Sequence, residues 1–390
     1  MDNENKYISE LLRIISGAIR LDSNKVRNYS AFLADKLESD GEKAAANRIR
    51  QLLAENEHQL HPAAVTSKMP PVDGETRFSL LENVSLTDPN EPPLILSQDQ
   101  QDIVNEFVSV AKSHAQFELH GLSTSIALLI YGPPGSGKNR VAREIARALN
   151  LKLFVARLDG LISSYLGSTS KNIRAVFEFA VNTPCVLFLD EFDAIAKLRD
   201  DAQELGELKR VVNSFLQNLD SVGAQSVIIA ATNHPHLLDA AVWRRFAYRL
   251  ELKCPSETIR AMMWKEFLGP IQLSDHEVDI LANLSEGFSG ADIREICLRL
   301  RRQSIITKKT SNLKDAFVGL QRLLLGSGQE KRFLSFLGEQ EPHRMAYKLR
   351  QQNPKLYTLS SVAAILGISK PTAQRWIKEG AVGNGRTTTE

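Results

Sequence analysis

No apolar run in these 390 residues reaches the roughly 18 needed for a helix to cross a bilayer, so no membrane partner is expected. The opening MDNENKYISE is acidic and polar and lacks the basic-then-apolar order of a secretory signal. Cysteine is scarce. Cys185, Cys254 and Cys297 lie far apart, with neither metal-ligand spacing nor an even-numbered disulfide framework. A reducing cytoplasm is the expected compartment. No period of roughly 20–50 residues recurs, which argues against a solenoid. Neither sign of charge dominates: 48 Lys and Arg face 46 Asp and Glu, a net +2. What remains, 24% charged and 43% hydrophobic, is a globular chain long enough for two or three domains.

That near-neutral balance hides an asymmetry. From Glu295 to Arg350 there are 12 Lys and Arg against 5 Asp and Glu. Such a stretch can face nucleic acid or an acidic partner, and the plainer alternative is the solvated face of helices.

Residues from about Tyr7 to His58 carry apolar positions at helical spacing, as in ISELLRIISGAI, and predict an N-terminal helical module over 1–60. Six prolines between His61 and Pro93 predict a linker over 61–93. From 94 to 254, helical stretches alternate with short apolar strands. The strands are expected at Ala127–Tyr131, Lys152–Arg157, Cys185–Leu189, Ser226–Ala230 and Tyr248–Leu252. This is the pattern of an α/β domain with a parallel sheet covered by helices on both faces. Residues 255–326 turn all-helical, a connector follows over 327–355, and 356–390 form a last helical module.

The densest information lies in IALLIYGPPGSGKNRVA (Ile126–Ala142). An apolar strand runs into a glycine-rich loop and then a helix. The spacing from Gly132 to Lys138 is that of a phosphate-binding P-loop. Backbone N–H groups of such a loop surround phosphates at a helix N-terminus, where the dipole also favours anions. Gly132, Pro133, Pro134, Gly135, Ser136, Gly137, Lys138 and Asn139 are therefore the expected nucleoside-triphosphate-binding set. Gly132, Gly135 and Gly137 allow the tight path, and Lys138 reaches the outer phosphates.

A second strand, CVLFLDEFD, ends in Asp190 and Glu191, 52 residues after Lys138 for the first of them. Asp190 is expected to hold Mg²⁺ and Glu191 to polarise the attacking water. In SVIIAATNHPHLLDAAVWRRF, Asn233 ends a third strand, placed to orient that water or the terminal phosphate. Arg244 and Arg245 follow a short helix, and arginine supplies fixed charge to a phosphoryl-transfer transition state.

Five ordered segments, GPPGSGK, LFLDE, AATN, DAAVWRRF and GFSGADI, resemble the core of an AAA+ ATPase over roughly Pro92–Leu325. The likeness is to the branch with katanin, spastin and Vps4, and to stand-alone prokaryotic AAA ATPases. The resemblance implies a P-loop NTPase domain followed by an all-α lid. It also implies a ring, usually a homo-hexamer, with ATP between subunits and Arg244 and Arg245 reaching the neighbour's nucleotide. GFSGADI would open a lid helix, where Gly290 and Ala291 approach the adenosine. Tyr165, Leu166 and Gly167 fall where this family carries an aromatic pore loop that grips an extended protein substrate, and Asp200–Glu207 offer a second, acidic one. The alternative for Tyr165 is local packing against the helix of Phe177. Prokaryotic relatives often belong to defence or mobile-element modules with a separate effector protein.

One position departs from the pattern. The hydroxyl residue that ligates Mg²⁺ after the P-loop lysine is here Asn139, whose longer carboxamide should crowd the metal position or act through water. ATP binding is expected to tolerate this better than hydrolysis does.

The segment YTLSSVAAILGISKPTAQRWIKEG (Tyr357–Gly380) predicts a helix over Leu359–Leu366, a turn at Gly367 and a second helix capped by Ser369. It resembles helix-turn-helix segments of excisionase and MerR-type proteins. That likeness implies DNA contacts by Lys370, Thr372, Gln374 and Arg375, with Trp376 and Ile377 in a small core. A protein-docking module is the alternative. The leading expectation is an ATP-driven remodeller of protein, with a DNA-associated ATPase or an ATP-gated assembly switch as alternatives.

Overall fold

The computed structural model describes residues 6–19, 23–55, 70–73, 77–87, 91–119, 126–157, 166–194, 214–220, 226–326 and 341–384. They group into two compact units. The first draws on Met1–Pro89, Gln98–Gly132 and Lys138–Leu252, the second on Asn90–Ser97, Pro133–Gly137 and Lys253–Glu390.

The first unit is built on a six-stranded sheet. Its strands are β1 (Glu82–Val84), β2 (Ala127–Tyr131), β3 (Lys152–Arg157), β4 (Cys185–Asp190), β5 (Val227–Thr232) and β6 (Tyr248–Glu251), in the spatial order β1-β3-β4-β5-β2-β6. The central strands read as unbroken apolar runs because helices cover both faces. Leu128–Ile130, Val186–Leu189 and Ile228–Ala231 are all fully buried. All pairings are parallel except β1 with β3, which is antiparallel, with Asn83 opposite Phe154.

That edge strand lies within the 61–93 stretch read as a linker. Glu82-Asn83-Val84 carries no apolar alternation, and only pairing with a distant strand makes it β. The strand expected at Ser226–Ala230 runs one residue later at its start and on to Thr232, because Ala231 and Thr232 still pair with Ile130 and Tyr131.

Helices α1 (Ile8–Ile19), α2 (Ser23–Ser39) and α3 (Lys43–Glu55) belong to this first unit. Asn28 Nδ2 donates to the carbonyl of Asn182 at 2.7 Å, and Arg13 Nη1 donates to the buried Tyr29 hydroxyl at 2.7 Å. Glu10, only 6% exposed, pairs with Lys36 at 2.9 Å. Helices α4 (Gln98–Leu119), α5 (Lys138–Leu149) and α6 (Leu166–Asn182) complete the cover.

The second unit is all-helical. It holds α8 (Glu257–Leu268), α9 (Asp275–Leu284), α10 (Gly290–Thr307) and α11 (Leu313–Gly326), the lid expected from sequence, with α12 (Pro342–Gln352), α13 (Leu359–Leu366) and α14 (Lys370–Asn384). The short α7 (Ala240–Trp243) lies in the first unit. Ser274 with Glu277, and Ser289 with Asp292, form capping boxes that satisfy the first N–H groups of α9 and α10. Fully buried Trp264 donates its indole N–H to Ser285 at 3.0 Å.

The C-terminal helices share this core: Met345, Leu349, Tyr357, Val362, Ile365 and Ala373 are buried in one cluster with Trp264 and Phe288. Tyr357 donates its hydroxyl to Asn283 Oδ1 at 2.6 Å. None of the described helices is long and apolar enough to cross a membrane.

Candidate nucleotide site

Parallel strands deliver the candidate residues to one edge of the sheet. Tyr131 pairs with Thr232 and Arg157 with Asp190, so the chain leaves β2, β4 and β5 at the same side. Gly132, Glu191 and Asn233 are the residues that follow, and such carboxyl-end edges are where open α/β sheets bind ligands.

The loop after β2 depends on its glycines. Gly132, Gly135 and Gly137 have φ of 152°, 76° and 98°. A Cβ on Gly132 would lie 2.1 Å from the carbonyl oxygen of Leu252, and one on Gly135 would lie 2.6 Å from Ser289 Oγ. The loop turns back through a Ser136 N–H to Pro133 carbonyl bond of 3.3 Å, and the buried Ser136 hydroxyl has no hydrogen-bond partner.

Lys138 opens α5, is 7% exposed, and donates from Nζ to the Gly132 carbonyl at 2.9 Å. Burial lowers its pKa, and the nearby charges of Asp190 and Asp193 oppose that shift. Lys138 thus brings a buried cation to the end of the glycine loop.

After β4 the chain makes a strained turn. Glu191 has φ of 55°, the left-handed region that a non-glycine residue occupies at a cost of about 1–3 kcal/mol. Its neighbours hold it there. Phe192 donates its N–H to the Ala231 carbonyl at 2.8 Å, and its fully buried ring meets Phe215 and Phe246 edge-on at 5.5 and 5.6 Å. The exposed Glu191 carboxylate is thereby presented at the sheet edge.

Two residues absent from the sequence reading organise this edge. The Thr232 hydroxyl donates to Asp193 Oδ1 at 3.1 Å and accepts from the His234 N–H at 3.0 Å, which orients the turn carrying half-buried Asn233. The signal was present as the second aspartate of DEFD, three residues after Asp190.

Asp190 and Asn139 are brought together, but not as a pair of metal ligands. Asp190 Oδ1 accepts the Glu191 N–H at 2.9 Å, and Asp190 Oδ2 accepts from Asn139 Nδ2 at 3.1 Å. The residues thus fit a nucleotide's phosphates: a glycine loop, a buried lysine and an unsatisfied serine hydroxyl. They do not fit a divalent cation shared by positions 139 and 190, because Asn139 turns a donor, not a lone pair, toward the carboxylate. Among the described residues no cluster of three His, Cys, Asp or Glu side chains could hold a metal.

The two arginines differ. Asp239 caps α7 by accepting the Val242 N–H at 2.8 Å, and both arginines follow at its end. Arg245 is tied within its own chain, by Nε to Asp220 at 2.9 Å and by Nη1 to the Ala241 carbonyl at 2.8 Å. The Arg244 backbone N–H closes α7 on the Ala240 carbonyl at 3.2 Å, while its exposed side chain makes no hydrogen bond or ion pair with a described residue.

In the second unit, Ala291 donates its N–H to the Gly135 carbonyl at 3.2 Å, and Gly290 opens α10 beside it. Leu166 and Gly167 begin α6, so they do not continue the loop expected there. Tyr165 and Asp200–Glu207 lie outside the described residues. The C-terminal turn forms as read: Gly367 has φ of 65°, and the Thr372 N–H donates to Ser369 Oγ at 3.3 Å. Lys370, Gln374 and Arg375 are exposed, Thr372 is partly covered, and Trp376 and Ile377 pack on the shared core.

Residues 128–254 match the ATPase family associated with various cellular activities (AAA). The chain is 40% identical over 220 residues to the uncharacterized AAA family ATPase y4kL of Sinorhizobium fredii, covering 56% of this chain and 66% of that protein. It is 35% identical over 245 residues to the human ATPase family gene 2 protein homolog A, covering 59% of this chain and 26% of that one. A putative 26S proteasome regulatory subunit homolog of Methanothermobacter marburgensis is 36% identical over 176 residues, covering 44% of this chain and 47% of its own length. The chain thus spans from a quarter to about two thirds of these relatives.

In fold it is similar to the crystal structure of the FIGL-1 AAA domain in complex with ADP. The TM-score is 0.51 and the identity 22%, over 68% of this chain and 93% of that one. The P-loop, the acidic strand end, the Asn233 turn and these likenesses agree: the chain carries an AAA-family ATPase domain on a P-loop NTPase fold.

Proposed function

We propose that this protein binds ATP at the Gly132–Lys138 loop and hydrolyses it to remodel a protein substrate, as a ring of identical subunits. The observation that carries the reading is the convergence of Lys138, Asp190, Glu191 and Asn233 at one edge of a parallel sheet. Loop N–H groups and Lys138 hold the phosphates, Glu191 takes a proton from the attacking water, and Asn233 orients that water. Arg244 supplies a cation to the nucleotide of a neighbouring copy, a role its exposure permits. Protein is the favoured substrate class because one relative is named as a proteasome regulatory subunit homolog.

The test is steady-state ATP turnover. Glu191→Gln should lower it by about 100-fold or more while leaving nucleotide affinity intact. Undiminished turnover in that variant would refute the assignment. Substrate gripping by Tyr165 is tested separately: Tyr165→Ala should abolish substrate-stimulated turnover and spare the basal rate.

A second reading is a DNA-associated ATPase, favoured by the exposed Lys370, Gln374 and Arg375 on the helix after the Gly367 turn. If it holds, binding to duplex DNA must weaken as salt rises, in proportion to the phosphates contacted.

A further inference from the structure

We propose that Asn139 makes nucleotide binding by this domain independent of Mg²⁺, by occupying with its own amide the carboxylate that would otherwise share the cation. The inference rests on the nucleotide-binding reading above and concerns what the loop requires, not whether it binds.

The argument starts from the chemistry of the two side-chain types. A hydroxyl is donor and acceptor through one atom. It can give its hydrogen to a carboxylate or its lone pairs to a cation without moving that atom. A carboxamide divides these roles between two atoms on opposite branches. In this chain the donor branch is the one engaged: Asn139 Nδ2 lies 3.1 Å from Asp190 Oδ2. The opposite amide orientation would set two oxygens against each other at that distance, so the carboxylate itself selects the donor.

The other carboxylate oxygen is also taken. Asp190 Oδ1 accepts the Glu191 N–H at 2.9 Å, a bond that belongs to the left-handed turn at Glu191. That turn is locked by the Phe192 ring in its aromatic pocket. Asp190 is therefore held from both sides by donors of its own chain, one on the strand end and one on α5. A small cation with strict octahedral demands has to displace one of them before it can use Asp190, and at position 139 it meets an N–H₂ group.

The phosphates draw on other atoms. Their partners are Lys138, with its Nζ on the Gly132 carbonyl, the backbone of the positive-φ glycine loop, and the unsatisfied Ser136 hydroxyl. The phosphate cradle and the cation position are separable here because they use different atoms, and only the second has been altered. The domain then binds ATP or ADP on the loop alone, and its nucleotide state answers to nucleotide concentration rather than to Mg²⁺.

The test measures binding, not turnover. A fluorescent ADP analogue is titrated into the full-length protein in Mg²⁺ and in EDTA, for the unaltered chain and for Asn139→Thr and Asn139→Ser. Lys138→Ala serves as the control for binding at the loop, and a thermal melt confirms that each variant is folded. The expected result is that the unaltered affinity shifts by less than about threefold between the two conditions, while the hydroxyl variants gain a Mg²⁺ dependence of about tenfold or more. With Mn²⁺ as the probe, ADP should remove the free-ion resonance signal in the hydroxyl variants and not in the unaltered protein.

A Mg²⁺ dependence in the unaltered chain equal to that of Asn139→Thr overturns the proposal. So does metal-independent binding in every variant, since Asn139 would then not be its cause. Absence of ADP binding by all the proteins in both conditions instead refutes the nucleotide-binding reading on which the proposal stands.

Discussion

At the scale of single residues, neighbours in sequence part company in role. Arg244 and Arg245 look interchangeable in VWRRF, yet one is bonded to Asp220 and Ala241 and the other stands in solvent. Arg244→Ala should leave the midpoint of urea unfolding within about 0.5 kcal/mol of the parent while cutting ATP turnover of the assembled protein. Arg245→Ala, which breaks a half-exposed pair, should cost up to about 1 kcal/mol as well. Equal behaviour of the two variants in both assays would contradict this division. Gly132 is a second case. Its φ of 152° matters less than the backbone oxygen of Leu252, 2.1 Å from where a Cβ would sit. Because that oxygen cannot rotate away, Gly132→Ala should destabilise the protein by about 1–3 kcal/mol or more, read from chemical denaturation. Both glycine and lysine were legible in the sequence. The fate of each arginine was not, since Asp220 lies 24 residues before Arg244 and no local pattern links it to either.

At the scale of elements, the strands were readable because a parallel strand buried on both faces has to be apolar throughout. ALLIY, CVLFLD and VIIAAT satisfy that rule without help from the rest of the chain. Edge strand β1 breaks it: it is short, half-polar and made β only by β3. The start of β4 carries a consequence for pH. Cys185 is buried where β4 enters the sheet, and burial pushes its thiol up to about 12, with Arg13 pulling weakly the other way. The folded chain keeps this thiol neutral, while the unfolded chain ionises it near its ordinary value of about 8.5. The native state therefore holds more protons between those values, and stability falls as pH rises through that window. Denaturation midpoints at pH 7.5 and 9.5 should drop more steeply for the parent than for Cys185→Ala. A parallel drop would assign the effect to other groups. Exposed Cys254 should react with a maleimide well before Cys185 or buried Cys297 does.

At the scale of the whole molecule, the described residues form two compact units, the N-terminal helices joining the sheet domain and the C-terminal helices joining the lid core. A chain that presents Arg244 outward should assemble more fully when ATP is bound. Light scattering after size-exclusion chromatography should show a larger species with ATP than without, and Arg244→Ala should weaken the difference. The sequence by itself determined the sheet, the glycine loop, the acid pair at Asp190 and Glu191, and the two helices that meet at the Gly367 turn. Each of these is a local demand: positive φ, an unbroken apolar run, or a cap within four residues. Only the tertiary structure decided what meets what. Asn139 and Asp190 are 51 positions apart, and they touch because parallel strands bring the start of the helix after β2 and the end of β4 to the same edge of the sheet. Whether an amide there offers nitrogen or oxygen is settled by the charge it faces, and no reading of one dimension contains that neighbour.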